Sequence, residues 1–367
     1  MPSAWQRPSV PYFLDRIYYR GPPSAHFDGQ RFFNPDGDDD RLHLTEHTSR
    51  AALIWHQNLR RSRAGRSGPD RAIVHPSRPA ARVAGEAMVA TWIQTQGLNI
   101  LTDPIWSRTA GPFGVGPARI AEPGVRFEDL PRIDLILVSH DHYDHMDLDT
   151  LARLWKRDRP LIVTSLGNDS VIGQAGVPAR RARLGAANRG APRRGGCGDA
   201  HASLGQPLFS DRNRALWSSF VVTLPGGNFF FAGDTGPGDL RWPAEAAALG
   251  PIRLAAIPIG AFRFEPGQMA SGSHIGPRDA IRVWSALGRP RAIPIHWGTF
   301  RLSWEGYWTP PRMLAAMLRC AGSDPARFGA VAIGAPVAIA PLGAPPAAPD
   351  MAGEARCERR GAFDAMR

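Results

Sequence analysis

Three of the chain's eleven histidines, His140, His142 and His145, fall within six residues, with Asp144 among them. Imidazole and carboxylate groups are ligands that zinc favours, so the cluster points to metal chemistry. It directly follows an apolar run, residues 133–138, that reads as a buried strand. A loop at the carboxyl end of such a strand is where α/β sheets gather their site residues. The alternate spacing turns His140 and His142 to one side, while adjacent Asp144 and His145 reach toward a second ion. Two metals need more ligands than one loop supplies. Asp234 ends the run 229–233, His296 ends 292–295 and Asp103 ends 99–102. These positions converge if the strands are neighbours in a sheet.

The elements that must hold these residues begin at about Met88. From there, short apolar and β-branched runs bounded by turn residues (98–101, 133–138, 229–232, 254–259, 292–295) predict strands. Residues 147–156 and 277–287 predict helices, the second with Pro277 in its first turn and Gly288 just past its end. Alternation of the two kinds argues α/β layers, sheet covered by helices. Residues 1–80, rich in Pro, Arg and Asp, read as an irregular arm with an ordered turn at 29–35, and residues 81–341 as the catalytic domain. Within that domain, residues 178–207 are atypical, an Arg, Gly, Pro and Ala-rich stretch without strand pattern that reads as disordered. Residues 342–367 lack apolar periodicity and read as a disordered tail.

Composition narrows the function classes. A chain of 367 residues, 43% hydrophobic, buries a sizeable core. No window approaches the ~18 apolar residues of a membrane-spanning helix, and residues 1–20 lack the layout of a signal peptide, so a soluble, unexported protein is expected. Three scattered cysteines without Cys-x-x-Cys spacing imply neither a disulfide framework nor a thiolate zinc site, and suit a reducing cytoplasm. The net charge of +11 owes more than half its excess to six arginines between Pro178 and Cys197, so no specific nucleic-acid partner is expected. The chain has no Gly-x-Ser-x-Gly elbow and no His-x-Lys pair, which disfavours serine hydrolysis and a phosphohistidine route.

The motif His140-x-His142-x-Asp144-His145, followed by a strand-end Asp and a final His, resembles the ligand signature of the metallo-β-lactamase superfamily. Ser139-His140-Asp141-His142-Tyr143-Asp144-His145, Leu101-Thr102-Asp103-Pro104-Ile105-Trp106, Asp211-Arg212-Asn213-Arg214-Ala215-Leu216-Trp217, Phe231-Ala232-Gly233-Asp234-Thr235-Gly236 and Ile295-His296-Trp297-Gly298-Thr299-Phe300 look like the N-acylphosphatidylethanolamine-hydrolysing phospholipase D branch. That resemblance implies an α/β fold of metallo-β-lactamase type, an αββα sandwich of two mixed β-sheets flanked by helices. It implies two Zn²⁺ per chain, one on His140, His142 and His201, the other on Asp144, His145 and His296, with Asp234 bridging. Asp103 would orient a ligand histidine, and Tyr143 would contact substrate. Asp144 and His274 would be catalytic, His274 by touching phosphate or donating a proton. The implied reaction is hydrolysis of a small-molecule or lipid phosphodiester by a hydroxide held between the metals. Peripheral contact with the inner membrane surface and a homodimer are compatible with it. A lactonase, an RNA-processing hydrolase and a weakly active remnant are the alternatives, the last because His201 is the only histidine in the atypical 178–207 stretch.

Overall fold

Strands that are apolar at every position must be covered on both faces, and the central strands here are. The structure is a computed structural model that describes residues 17–34, 74, 76–90, 93–95, 98–111, 114–182, 196–197, 213–264, 268–270, 272–361 and 363. Its strands are β1 (Met88–Ala90), β2 (Ile93–Thr95), β3 (Leu98–Thr102), β4 (Leu135–Val138), β5 (Leu161–Thr164), β6 (Arg180–Arg181), β7 (Gly196–Cys197), β8 (Phe220–Val222), β9 (Asn228–Phe231), β10 (Ile252–Pro258), β11 (Arg291–Ile295) and β12 (Val337–Ile339). One sheet has the order β12-β1-β2-β3-β4-β5-β6 and the other β11-β10-β9-β8-β7. Each is mixed. Strands β3 to β6 are parallel, as are β9 to β11, with antiparallel partners on the remaining side.

Side-chain alternation divides these strands between two interfaces. Leu135 and Leu137 of β4, Phe229 and Phe231 of β9, and Leu254 and Ala256 of β10 meet between the sheets. Ile136 and Val138 face outward onto α1 (Leu148–Asp158) and α2 (Asn168–Gly173). Phe230, Ala255 and Ile257 face outward onto α3 (Arg241–Ala248), α4 (Pro277–Ala286) and α5 (Thr309–Cys320). The result is the αββα sandwich.

Three expectations need correction. The tail expected to be disordered carries α6 (Met351–Arg359), joined to α5 by a disulfide between Cys320 and Cys357, 37 residues apart. Arg278 of α4 pairs with Glu354 at 3.3 Å and also with Glu358, and Phe363 is buried in the core beneath α5. The absence of apolar periodicity was a poor guide because this helix is held by a covalent link and ion pairs. The same bond corrects the expectation of unpaired cysteines, since spacing along the chain does not report which thiols meet across two helices.

The arm is only partly irregular, since Phe27 and Phe32 are buried against Leu216 and Trp217. Phe32 N–H donates to the Asn213 carbonyl at 2.8 Å, and Trp217 Nε1–H donates to Asn34 Oδ1 at 3.1 Å. The described part of that turn, residues 29–34, thus braces the segment entering β8. Within 178–207, β6 and β7 are two-residue edge strands, and the rest lies outside the described residues, apart from residues 178–179 and 182.

Cross-linking a loop of this length is worth about 2–4 kcal/mol. The double variant Cys320→Ser/Cys357→Ser should lose that amount of unfolding free energy in urea, and thiol reduction of the unaltered protein should reproduce the loss.

Candidate metal centre

Four strand ends deliver the site. Beyond β4 the chain turns tightly, with His145 N–H and Met146 N–H both donating to the His142 carbonyl. Asp147 then caps α1 through Thr150 N–H at 3.1 Å, and its carboxylate also accepts from Trp106 N–H at 3.2 Å and Ser107 N–H at 3.0 Å. One cap therefore ties the loop after β3 to the loop after β4. Beyond β9, Gly233 adopts φ +64°, and a Cβ there would lie 2.6 Å from Ser139 Cβ. Only glycine lets these two strand ends approach so closely. Asp103 and His296 also have positive φ, 39° and 57°. Backbone strain at non-glycine residues is concentrated where structure over-determines it, often at functional sites.

Around these turns, His140, His142, His145, Asp144, Asp234 and His296 converge, though from two sheets and not from neighbouring strands of one. His140 Nε2 and His142 Nδ1 are 2.8 Å apart. Asp234 Oδ2 lies 3.1 Å from His145 Nε2, 3.1 Å from His296 Nε2 and 3.2 Å from His274 Nε2. Asp144 Oδ2 lies 3.3 Å from His296 Nε2 and 3.4 Å from His145 Nε2. Among the described residues three groups have ligand atoms within 4.8 Å of one another: Asp144, His145, Asp234 and His296; His140, His142 and Asp234; and Asp103, His140 and His145. Asp234 belongs to the first two, and in the third Asp103 meets the outer nitrogen of His145.

The outer ring nitrogens are fixed by hydrogen bonds. His145 Nδ1 lies 2.6 Å from Asp103 Oδ2, and His296 Nδ1 lies 3.2 Å from the Gly260 carbonyl. Asp103 also accepts from Ser139 N–H at 2.7 Å and Ser139 Oγ–H at 2.6 Å, and the same Oγ is 2.8 Å from His140 Nδ1. With Nδ1–H donated outward, the Nε2 atoms of His140, His145 and His296 face the cluster. Ser139 is a participant that sequence reasoning missed. It adjoins His140 directly, but a serine beside a histidine is too common to signal anything.

Charge balance supports the same reading. Burial lowers the His140 basicity well below the ordinary imidazole range, helped by positive charge on His145 and His142. Burial acts likewise on His145, yet Asp234, Asp144 and Asp103 together lift it well above that range, and His296 is raised mainly by Asp234. Burial opposes ionisation of Asp144 and Asp234, but the neighbouring His145 holds both carboxyls well below their usual range. Clustered carboxylates that draw protons onto imidazoles form a cation-seeking pocket. Both Asp234 oxygens are buried without a well-aligned hydrogen bond, which suits a metal ligand. Nitrogen and oxygen donors in this arrangement fit divalent zinc.

His274 is buried beside this cluster, its Nδ1 3.0 Å from Ser273 Oγ, and Ile275 N–H donates to the Thr235 carbonyl at 2.9 Å. Tyr143 is half-buried in the ligand loop but does not line the cavity beside Asp144. His201 lies outside the described residues. That cavity, about 280 Å³, opens on Asp144, His145 and His296 and is walled by Trp106, Phe300 and Leu302.

A model of the beta-lactamase superfamily domain matches residues 98–297, from the start of β3 to the residue after His296, and so spans every described member of the cluster. The chain belongs to the beta-lactamase superfamily. Within it, the chain is 33% identical over 244 residues to N-acyl-phosphatidylethanolamine-hydrolyzing phospholipase D 1 of Caenorhabditis elegans, covering 61% of this chain and 68% of that protein. It is 30% identical over 213 residues to a metal-dependent hydrolase of Pyrobaculum neutrophilum, covering 58% of this chain and 82% of the other. The chain spans smaller shares, 60% and 49%, of mycobacterial and yeast relatives. A possible metal-dependent hydrolase from Veillonella parvula shares the fold, with 14% identity, a TM-score of 0.51, and coverage of 68% of this chain and 97% of that one. This member of the superfamily is a metal-dependent hydrolase of the beta-lactamase fold.

Asn tolerates the positive φ at position 103 but presents an amide where His145 needs an acceptor. Asp103→Asn should weaken metal affinity about 10- to 100-fold, measured by competition with a chelating dye, with the unfolding temperature nearly unchanged.

Proposed function

We propose that the chain is a two-zinc phosphodiesterase of phospholipase D type acting on an N-acylated phosphoethanolamine lipid or a smaller phosphodiester. The observation that carries this reading is the sharing of Asp234 between two adjacent ligand groups. The similarity to the nematode phospholipase supports the choice of bond. When bound, a zinc pair supplies a water whose pKa falls to about 7 and positive charge against the phosphoryl oxygens.

Asp144, His145 and His296 would hold one ion, His140 and His142 the other, with Asp234 between. His201 is proposed as a further ligand of the second group. Asp103 holds His145 directly and His140 through Ser139, so one carboxylate orients one ligand of each ion. His274 sits with Nε2 3.2 Å from Asp234 Oδ2, on the margin of the cluster, where it would pass a proton to the departing alkoxide. Tyr143 is proposed to contact the substrate beyond the cavity. Peripheral contact with a membrane surface would follow from a lipid substrate. No helix among the described residues is long and apolar enough to cross a membrane.

Purified protein is expected to hold about two zinc ions by mass spectrometry and to hydrolyse a phosphodiester but not a lactone. Asp234→Ala should fall below about one zinc per chain. Retention of two by that variant would refute the bridging role, and lactone turnover without phosphodiester turnover would overturn the reading. His274→Ala should lower kcat about 100-fold for an alkyl leaving group but far less for p-nitrophenolate, which departs without a proton.

A further inference from the structure

Arg119 is the one arginine among the residues that line the cavity with Asp144, His145 and His296. It is half-buried, and burial lowers its basicity, an effect only partly opposed by Glu122 and Asp147. Its nearest partners are neutral. Nε donates to the Ser107 carbonyl at 3.2 Å, Nη2 donates to the Ile105 carbonyl at 2.6 Å, and the guanidinium carbon lies 5.0 Å from the Phe300 ring centroid. No carboxylate among the described residues lies within ion-pair distance of it. A partly desolvated cation with no carboxylate in direct contact is costly, and proteins keep such groups where a ligand completes them. The two carbonyls fix the plane of the guanidinium and use Nε and Nη2, so Nη1 is the nitrogen without a protein partner among the described residues.

The remaining wall is mainly apolar, with Trp106, Phe231, Trp297 and Phe300, and its carboxylates are Asp103, Asp144 and Glu122. At about 280 Å³ the cavity falls at the small end for ligand pockets and takes one end of a substrate rather than a whole lipid. We propose that Arg119 is the anion-binding residue of this cavity and that its ligand is a phosphate ester carrying an apolar substituent. The choice of phosphate rests on the function proposed above. The charge and the apolar wall are independent of it.

The test uses calorimetric titration of the zinc-loaded protein with inorganic phosphate, phenyl phosphate and benzoate. Phenyl phosphate should bind most tightly, and Arg119→Met should weaken it about tenfold or more while zinc content and unfolding temperature are kept. Affinity within about twofold of the unaltered protein, or no binding of any of the three anions by that protein, would overturn the proposal. Benzoate binding as tightly as phenyl phosphate would overturn the assignment to phosphate. If Arg119→Met fails to fold, phenylglyoxal labelling of the unaltered protein decides: phenyl phosphate should shield Arg119 and leave exposed Arg312 reactive, and equal labelling of Arg119 with and without the ligand counts against it. Binding through Arg119 without hydrolysis of bis(p-nitrophenyl) phosphate would leave the anion site standing and defeat the phosphodiesterase reading instead.

Discussion

Gathering the carboxylates of Asp103, Asp144 and Asp234 around one knot of imidazoles is the constraint that the surrounding structure answers to. Like charges in a pocket shielded from water repel strongly, and each must be matched by a cation or by hydrogen bonds. The fold meets this with parts from both sheets. Asp103 and the His140–His145 loop come from β3 and β4 of one sheet, Asp234 and His296 from β9 and β11 of the other. The two sheets of the sandwich must therefore come close together at this end, and Gly233 against Ser139 is where they do so.

That dependence explains what could be read in the sequence. β4 and β9 are buried on both faces, so each appears as an apolar run, and the ionisable residue just past its end stands out. The ligand loop was visible for the same reason, since three histidines and an aspartate in six residues leave few structural alternatives. Helices with weaker contrast were harder. α3 begins Arg241-Trp242-Pro243 and consists largely of alanine, so no clear apolar stripe marks it, although Trp242 and Ala246 are buried. The terminal helix was missed because its stability comes from Cys320 and Arg278, both distant in sequence. Arg119 had no signature either. One guanidinium among 44 Lys and Arg residues becomes distinctive only when its carbonyl partners and the adjoining cavity are known.

The two ends of the chain support the sandwich in different ways. The Phe27–Phe32 turn packs on Trp217, so the arm reinforces the entry to β8 by apolar burial and two hydrogen bonds. The tail helix instead lies beside α4 and α5 through a disulfide and ion pairs to Arg278. α4 begins three residues after His274, so the tail braces the element that positions this histidine.

The pairing of β1 with β12 joins Met88 to Ile339, residues about 250 apart. On a ribosome, β3, β4 and β5 emerge long before β12 exists, and the rim strand β1 must wait with one backbone edge unpaired. The metal-binding loop is thus assembled on a sheet whose border is sealed last. Completion of that border is a slow, non-local step, and until it occurs the nascent chain presents a strand edge that chaperones or neighbouring chains can capture.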